Sequence, residues 1–319
     1  MPILDMPLEK LKTYAGVNPR PADHEAYWSR ALDEMRAVDP KVELIPHLFK
    51  APYAECFDMF FTGVGGARLH AMYVRPASSR GKHPAIVKFH GYTGNAGDWS
   101  EKLKWAALGF SIAALDCRGQ GGLSEDTGGV KGTTHKGHII RGLDDSPEKL
   151  LFRQLYLDTA ELTRIVMDMP EVDPARVGAT GTSQGGGLTL ACAALEPRIR
   201  RAFSILPFLS DYRRVWEMDL AKRAYEEIAW YFRTYDPLHE REQELFTTLG
   251  YIDVQHLAPR IKAETRMVVG LMDDVCPPST QFAAYNKLKC AKSMLLYPDY
   301  SHEIIPGIED RAYEFLADL

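Results

Sequence analysis

The sequence predicts an α/β protein with a mostly parallel central sheet, helices on both faces, an N-terminal extension and a helical insertion. Three observations carry this. After residue 80, short apolar runs alternate with longer amphipathic ones, the pattern of strand, helix, strand, helix. The stretch "GTSQGG" (181–186) joins one apolar run directly to a helix of small residues. Residues 208–260 break the alternation with a polar, aromatic-rich, helical pattern.

The elements follow in order. Residues 1–50 read as an extension, with a helix at "DHEAYWSRALDEM". "CFDMFFTG" and "ARLHAMYVRP" form a hairpin through a glycine-containing turn. "PAIVKFH" is a buried strand, followed by the loop "GYTGNAG" and the helix "DWSEKLKWAALG". "FSIAALD" is the next strand, and the Gly-rich loop "CRGQGGLSEDTGG" follows it. "EKLLFRQLYLDTAELTRIVMDM" is a long amphipathic helix ended by Pro170. "RVGATGT" is a strand running into the helix "SQGGGLTLACAAL". "RRAFSIL", "TRMVVGLM" and "SMLLYP" complete the strands. "PPSTQFAAYNKL", with Ser279 placed to cap it, and "IEDRAYEFLADL" complete the helices. The chain reads as one domain over 1–319, with the insertion at 208–260 as a lid or an assembly surface.

Bulk properties narrow the function. The composition is that of an ordinary globular protein, 45% hydrophobic and 25% charged. A net charge of −5 gives no footprint for nucleic acid or an anionic membrane surface. No apolar run approaches the roughly 18 residues of a bilayer span. The N-terminus lacks the pattern of a signal peptide. Five cysteines with no CxxC pair fit reduced, buried thiols. A cytoplasmic location is expected.

Ligands in parallel α/β sheets bind beyond the carboxyl ends of the strands, so chemistry is sought there. "GTSQGG" fits G-x-S-x-G in the context that motif requires, strand before and helix after. This is the nucleophile turn of the α/β-hydrolase fold, with Ser183 on a strained, exposed corner. Gly181 and Gly185 leave room where a Cβ would collide. A serine needs a base, and the chain order in this fold is Ser, acid, His. Three histidines lie downstream, and His239 and His256 fall in the insertion. His302, in "YPDYSHEIIPG", follows a strand and precedes the last helix, where the base belongs.

The imidazole needs a carboxylate on its other nitrogen. "MVVGLMDDVCPPST" offers Asp273 and Asp274 in the right interval. Neighbours at a strand end point in different directions, so one of them faces the histidine. Position favours Asp273, the first residue past the apolar run, and the residues alone leave both open. The oxyanion needs two donors: the N–H of Gln184, after the nucleophile, and one from an earlier loop. "HGYTGN" (90–95) is such a loop, with Tyr92 N–H the candidate. Losing one such donor costs about 3 kcal/mol of transition-state stabilisation.

Other constellations are weaker. His135 and His138 are three apart with no matching acid or cysteine set, and "SHEIIP" is not H-E-x-x-H. "GVGG" lacks the dinucleotide fingerprint. Neither metal nor cofactor is expected.

With "HGYTGNAGDW", "RGQGG", "GTSQGG", "GLMDDVCPPSTQFAAYN" and "HE" at 302–303 in hand, nearly the whole chain resembles carbohydrate esterase family seven. These are the acetyl xylan esterases and cephalosporin C deacetylases. The resemblance implies Ser183 as nucleophile, Asp273 as acid and His302 as base, with Tyr92 and Gln184 N–H groups as oxyanion donors. It implies that Arg118, Gly119 and Gln120 shape the site, beside Glu303 of the HE pair. It further implies no metal, a homo-oligomer of hexameric type, and small acetylated carbohydrates as substrates. Two alternatives stay open on the same scaffold: a peptidase or longer-chain esterase, and a non-catalytic binding protein.

Overall fold

The computed structural model describes residues 4–79, 81–130 and 137–319. The N-terminal extension holds α1 (Leu8–Leu11), α2 (His24–Arg36) and β1 (Glu43–Pro46). The hairpin follows as β2 (Ala54–Thr62) and β3 (Arg68–Pro76). Then come β4 (His83–Phe89), α3 (Trp99–Ala107), β5 (Ser111–Leu115), α4 (Leu151–Asp168), β6 (Val172–Thr182), α5 (Gln184–Leu195) and β7 (Arg201–Ile205). The insertion carries α6 (Tyr212–Glu217), α7 (Glu226–Tyr235), α8 (Glu242–Leu249) and α9 (Val254–Leu257). β8 (Glu264–Gly270), α10 (Pro278–Lys287), β9 (Lys292–Tyr297) and α11 (Ile308–Leu316) close the chain.

Among the described residues, one sheet of nine strands orders them β1-β2-β3-β5-β4-β6-β7-β8-β9. β1, β2, β3 and β5 pair antiparallel, and from β5 onward all pairings are parallel. This is the α/β-hydrolase architecture. Side chains alternate across the sheet and so build two cores. Ala85 and Val87 join the core that contains α4, α5 and the insertion. Ile86, between them, joins the core of α3 and α11. Every residue of α5 is buried, which its run of Gly, Ala, Leu and Cys allows. Because the parallel strands share one direction, the loops after β4, β5, β6, β8 and β9 collect at one edge.

The insertion is part of the main core rather than an appendage. Tyr212, Tyr225, Ile228, Phe232 and Phe246 are all fully buried in it. The extension is fastened to the insertion by polar contacts. Asp211 Oδ1 accepts from the Val17 and Asn18 amides at 3.0 and 2.8 Å, and Tyr14 Oη donates to Asp211 Oδ2 at 2.7 Å. Trp28 Nε1 donates to the Tyr251 carbonyl at 2.9 Å.

Two local expectations change. The extension contributes an edge strand, β1, which the sequence pattern does not reveal because it is short and mostly exposed. Ser279 does not cap α10: Pro277 takes the cap position, and Ser279 lies inside the first turn. There its amide donates to Asp5 Oδ2 at 2.7 Å, so a carboxylate from the distant N-terminus performs the capping.

Candidate active site

Ser183 occupies the turn between β6 and α5 with φ 61° and ψ −120°, a conformation disfavoured for a residue with a Cβ. The turn is held from both sides. Ser183 N–H donates to the Ile205 carbonyl at 2.9 Å, and its carbonyl accepts from the Gly187 and Phe208 amides, both at 3.0 Å. The glycines are required by close approach. A Cβ on Gly181 would lie 2.6 Å from the carbonyl oxygens of Phe89 and Gly185, and one on Gly185 would overlap Phe89.

His302, in the loop after β9, reaches this serine. Its Nε2 lies 2.9 Å from Ser183 Oγ and its Nδ1 lies 2.8 Å from Asp273 Oδ2. The carboxylate can only accept, so Nδ1 carries the hydrogen and Nε2 is free to accept from the serine hydroxyl. Asp273 is fully buried and is fixed by further donors. Its Oδ1 accepts from the Val275 and Cys276 amides at 2.9 and 2.7 Å, and Oδ2 also accepts from Gln281 Nε2 at 3.3 Å. The structure thus brings Ser183, His302 and Asp273 into one hydrogen-bonded chain.

Asp274 points elsewhere. Its Oδ1 accepts from Ser301 Oγ at 3.1 Å and its Oδ2 lies 3.5 Å from Arg223 of the insertion. It is half-buried and braces the loop that carries His302, a fuller part than a solvated turn residue plays. Glu303 is exposed and accepts from the Ser301 amide at 3.0 Å. It lines a cavity of about 570 Å³ beside His302, together with Lys88, Lys104, Thr182, Leu206 and Ile305.

Tyr92 and Gln184 flank the serine. Phe89 of β4 pairs with Gly181 of β6, which sets the loop after β4 beside the serine turn. Gln184 opens α5, so its N–H has no partner within the helix and can serve an incoming anion. Gln120 connects the two flanks. Its Oε1 accepts from the Thr93 amide at 2.8 Å and from Gln184 Nε2 at 3.1 Å, and its Nε2 lies 2.9 Å from Gln184 Oε1. Gly119 turns the backbone at φ 68°. Arg118 is buried, and its Nε and Nη2 each lie 2.6 Å from the Asp158 carboxylate of α4. Burial pulls the guanidinium down, and the Asp158 carboxylate overrides it and holds the proton more firmly than usual.

Three further side chains, Asp116, His90 and Glu227, support the loops around the site. Asp116, at the end of β5, accepts from the Ala96 amide at 2.7 Å, the Leu123 amide at 2.9 Å and His70 Nδ1 at 2.7 Å. It therefore ties the loop after β4 to the loop after β5. Burial pushes its carboxyl up, but the His70 and amide hydrogen bonds outweigh that and hold it below the usual range. His90 donates from Nδ1 to the Gly91 carbonyl at 2.7 Å and accepts at Nε2 from the Cys117 amide at 3.0 Å. Burial pushes its pKa down, consistent with a neutral ring that props the loop. Glu227 of α7 is the third. Its Oε1 accepts from Tyr92 Oη and its Oε2 from the Ile140 amide, the latter at 3.0 Å. His90 opens the HGYTGN motif, while only spatial proximity singles out Asp116 and Glu227.

Among the described residues, Asp273, Cys276 and His302 form the one group with metal-ligand spacing. A cation there would compete with the His302–Asp273 hydrogen bond. His135 lies outside the described residues. All five cysteines are free thiols. Among the described residues no helix is long and apolar enough to cross a membrane.

Comparison with known proteins gives the family of the chain. The chain is similar to the crystal structure of acetyl xylan esterase 1 from Thermoanaerobacterium sp. JW/SL YS485, at 60% identity over 99% of each chain and a TM-score of 0.97. It is similar to an acetyl xylan esterase from Paenibacillus sp. R4, at 36% identity over 98% of this chain and 99% of that one, with a TM-score of 0.94. It is 26% identical over 308 residues to the acetyl esterase Axe7A of Xylanibacter ruminicola, covering 92% of this chain. The chain spans 65% of that relative's length. The acetyl xylan esterase (AXE1) family matches residues 1–319, so the chain belongs to the acetyl xylan esterase family.

Proposed function

We propose that this protein is a serine esterase that removes O-acetyl groups from short acetylated xylo-oligosaccharides through an acetyl-enzyme. Cephalosporin C deacetylation is a second reaction of the same site. The observation that carries this reading is the continuous chain Ser183–His302–Asp273 beyond the ends of parallel strands. His302 Nε2 takes the Ser183 proton as Oγ attacks the acetyl carbonyl. Asp273 holds the imidazole in the required tautomer and stabilises the imidazolium. The oxyanion rests on the N–H groups of Tyr92 and Gln184. The sugar oxygen leaves with the proton from His302. Water then repeats the sequence on the acetyl-enzyme and releases acetate.

The similarity to two acetyl xylan esterases over nearly their whole length supports the choice of acyl group and leaving group. A homo-oligomer of hexameric type, a single 1–319 domain and a cytoplasmic location belong to the same reading. The test is acetate release from acetylated xylose and cephalosporin C, with p-nitrophenyl acetate, butyrate and octanoate compared in parallel. Activity is expected to peak at acetate. Ser183→Ala is expected to lower kcat by about 10⁶-fold, as for other serine hydrolases of this type. A maximum at octanoate, or acetate release unchanged in Ser183→Ala, overturns the reading.

A further inference from the structure

We infer that Glu227, on α7 of the insertion, is a positioning residue that fixes the oxyanion donor Tyr92 by holding its phenol. The inference rests on the esterase reading above and assigns the insertion a task in catalysis.

An oxyanion donor works because it is already in place when the charge develops. A backbone N–H in a surface loop has no such rigidity of its own. At Tyr92 the chain supplies it from outside the loop. On the C-terminal side of the Tyr92 Cα, the Thr93 amide is held by Gln120 at 2.8 Å. The side chain is held at its far end, where Oη donates to Glu227 Oε1 and accepts from the His138 amide at 3.0 Å. The ring is gripped edge-on by Phe208 and His138, with centroids at 5.6 and 5.2 Å. Two of the branches at this Cα are therefore fixed, which leaves the N–H little freedom to turn.

Glu227 is built for this task rather than for solvent. It is 3% exposed, although an unpaired glutamate is almost never buried. Both carboxylate oxygens are occupied, Oε1 by the Tyr92 hydroxyl and Oε2 by the Ile140 amide. A Cβ on Gly137 would overlap the carboxylate, so the 137–140 segment closes on it without room to spare. Burial pushes the Glu227 carboxyl up to about 7, while the hydrogen bonds from Tyr92 and the backbone pull it back. A buried carboxylate retained at this cost, aimed at the loop that flanks the nucleophile, fits a positioning role.

The experiment is a double-mutant cycle of Tyr92→Phe and Glu227→Ala, with kcat and KM for p-nitrophenyl acetate, melting curves, and Ser183→Ala alongside. Removing a donor outright costs about 10²–10³-fold in kcat, and misaligning one should cost less, about tenfold. The expected result is that each single variant loses about tenfold in kcat with KM little changed, and that the double variant loses no more than the worse single. Wild-type kcat in Tyr92→Phe, or losses that multiply in the double variant, overturns the inference. If Glu227→Ala does not fold, Tyr92→Phe decides alone, since it removes one oxygen. A fully active Ser183→Ala defeats the esterase reading itself. An inactive Ser183→Ala beside a fully active Tyr92→Phe defeats only the role of Glu227.

Discussion

The loop after β8 and the insertion helix α7 each bring a buried carboxylate to the same site, by different routes. Asp273 comes from a strand end, a few residues past β8, and contacts His302 directly. Glu227 comes from a helix outside the strand-helix alternation and touches the site only through the Tyr92 hydroxyl. Asp273 receives two backbone amides, a glutamine side chain and the imidazole. Glu227 receives a phenol and the backbone around Ile140, and burial pushes it up to about 7. On the proposed reading, one carboxylate takes part in the reaction while the other secures the geometry in which it happens. Substitutions should separate the two accordingly.

The largest effect is expected for Asp273→Asn, which keeps the shape and favours the wrong imidazole tautomer. Its kcat should fall about 10⁴-fold, read as acetate release at saturating substrate. A loss below tenfold would put Asp273 in the same supporting class as Glu227. Next comes Gln120→Ala, which cuts the link between Thr93 and Gln184. A loss in kcat of about 10- to 100-fold is expected, short of the removal of a donor. A rise in KM with unchanged kcat would show that Gln120 serves binding instead.

Stability against pH sharpens the comparison further. Glu227 has a folded pKa of about 7 against an ordinary value of 4.5. Glu161 of α4, buried beside Arg164, is also pushed up to about 7 by burial. A raised folded pKa means stability present below about pH 4.5 and lost as pH climbs through about 7. Glu161→Gln and Glu227→Gln should each flatten the fall in Tm between pH 4.5 and 7.5, by about 1–2 kcal/mol in stability. Only Glu227→Gln should also change kcat. A change in kcat for Glu161→Gln would remove the distinction between a merely buried acid and a positioning one. The smallest effect belongs to Asp274→Asn. It keeps an acceptor for Ser301 and loses the half-exposed pairing with Arg223, so activity should change by less than about threefold. A loss approaching that of Asp273→Asn would show that both carboxylates serve His302.

Much of this was legible without coordinates, and the legible part has a common cause. Strand periodicity placed β4 through β9, and the short sequence motifs sit where those strands end. Ser183 could be singled out because a strained turn between strand and helix demands glycines at fixed offsets, and Gly181 and Gly185 supply them. His302 could be singled out because from β6 to β9 chain order is also spatial order, which sets the loop after the last strand on the same edge as the serine turn. Asp273 was separated from Asp274 only by resemblance, since alternation at a strand end says that the two differ and not which one faces inward. The edge strand β1 and the cap that Asp5 provides for α10 left no periodic trace, being short or joined across the whole chain.

The sequence by itself therefore determined the parallel part of the sheet, the strained serine turn and the order of the proposed reacting groups, because these depend on local periodicity and on glycines whose reason is local. Tertiary structure decided what the supports hold: Asp116 between two loops, Gln120, which the RGQ motif marks only as site-shaping, between Thr93 and Gln184, and Glu227 on the Tyr92 phenol. Each is a polar side chain whose partner lies at least seven residues away, and the supports from Gln120 and Glu227 span 27, 64 and 135 residues. No spacing rule reaches that far. What makes such a residue necessary is the cost of an unpaired buried polar group, and that cost exists only once the chain has folded around it.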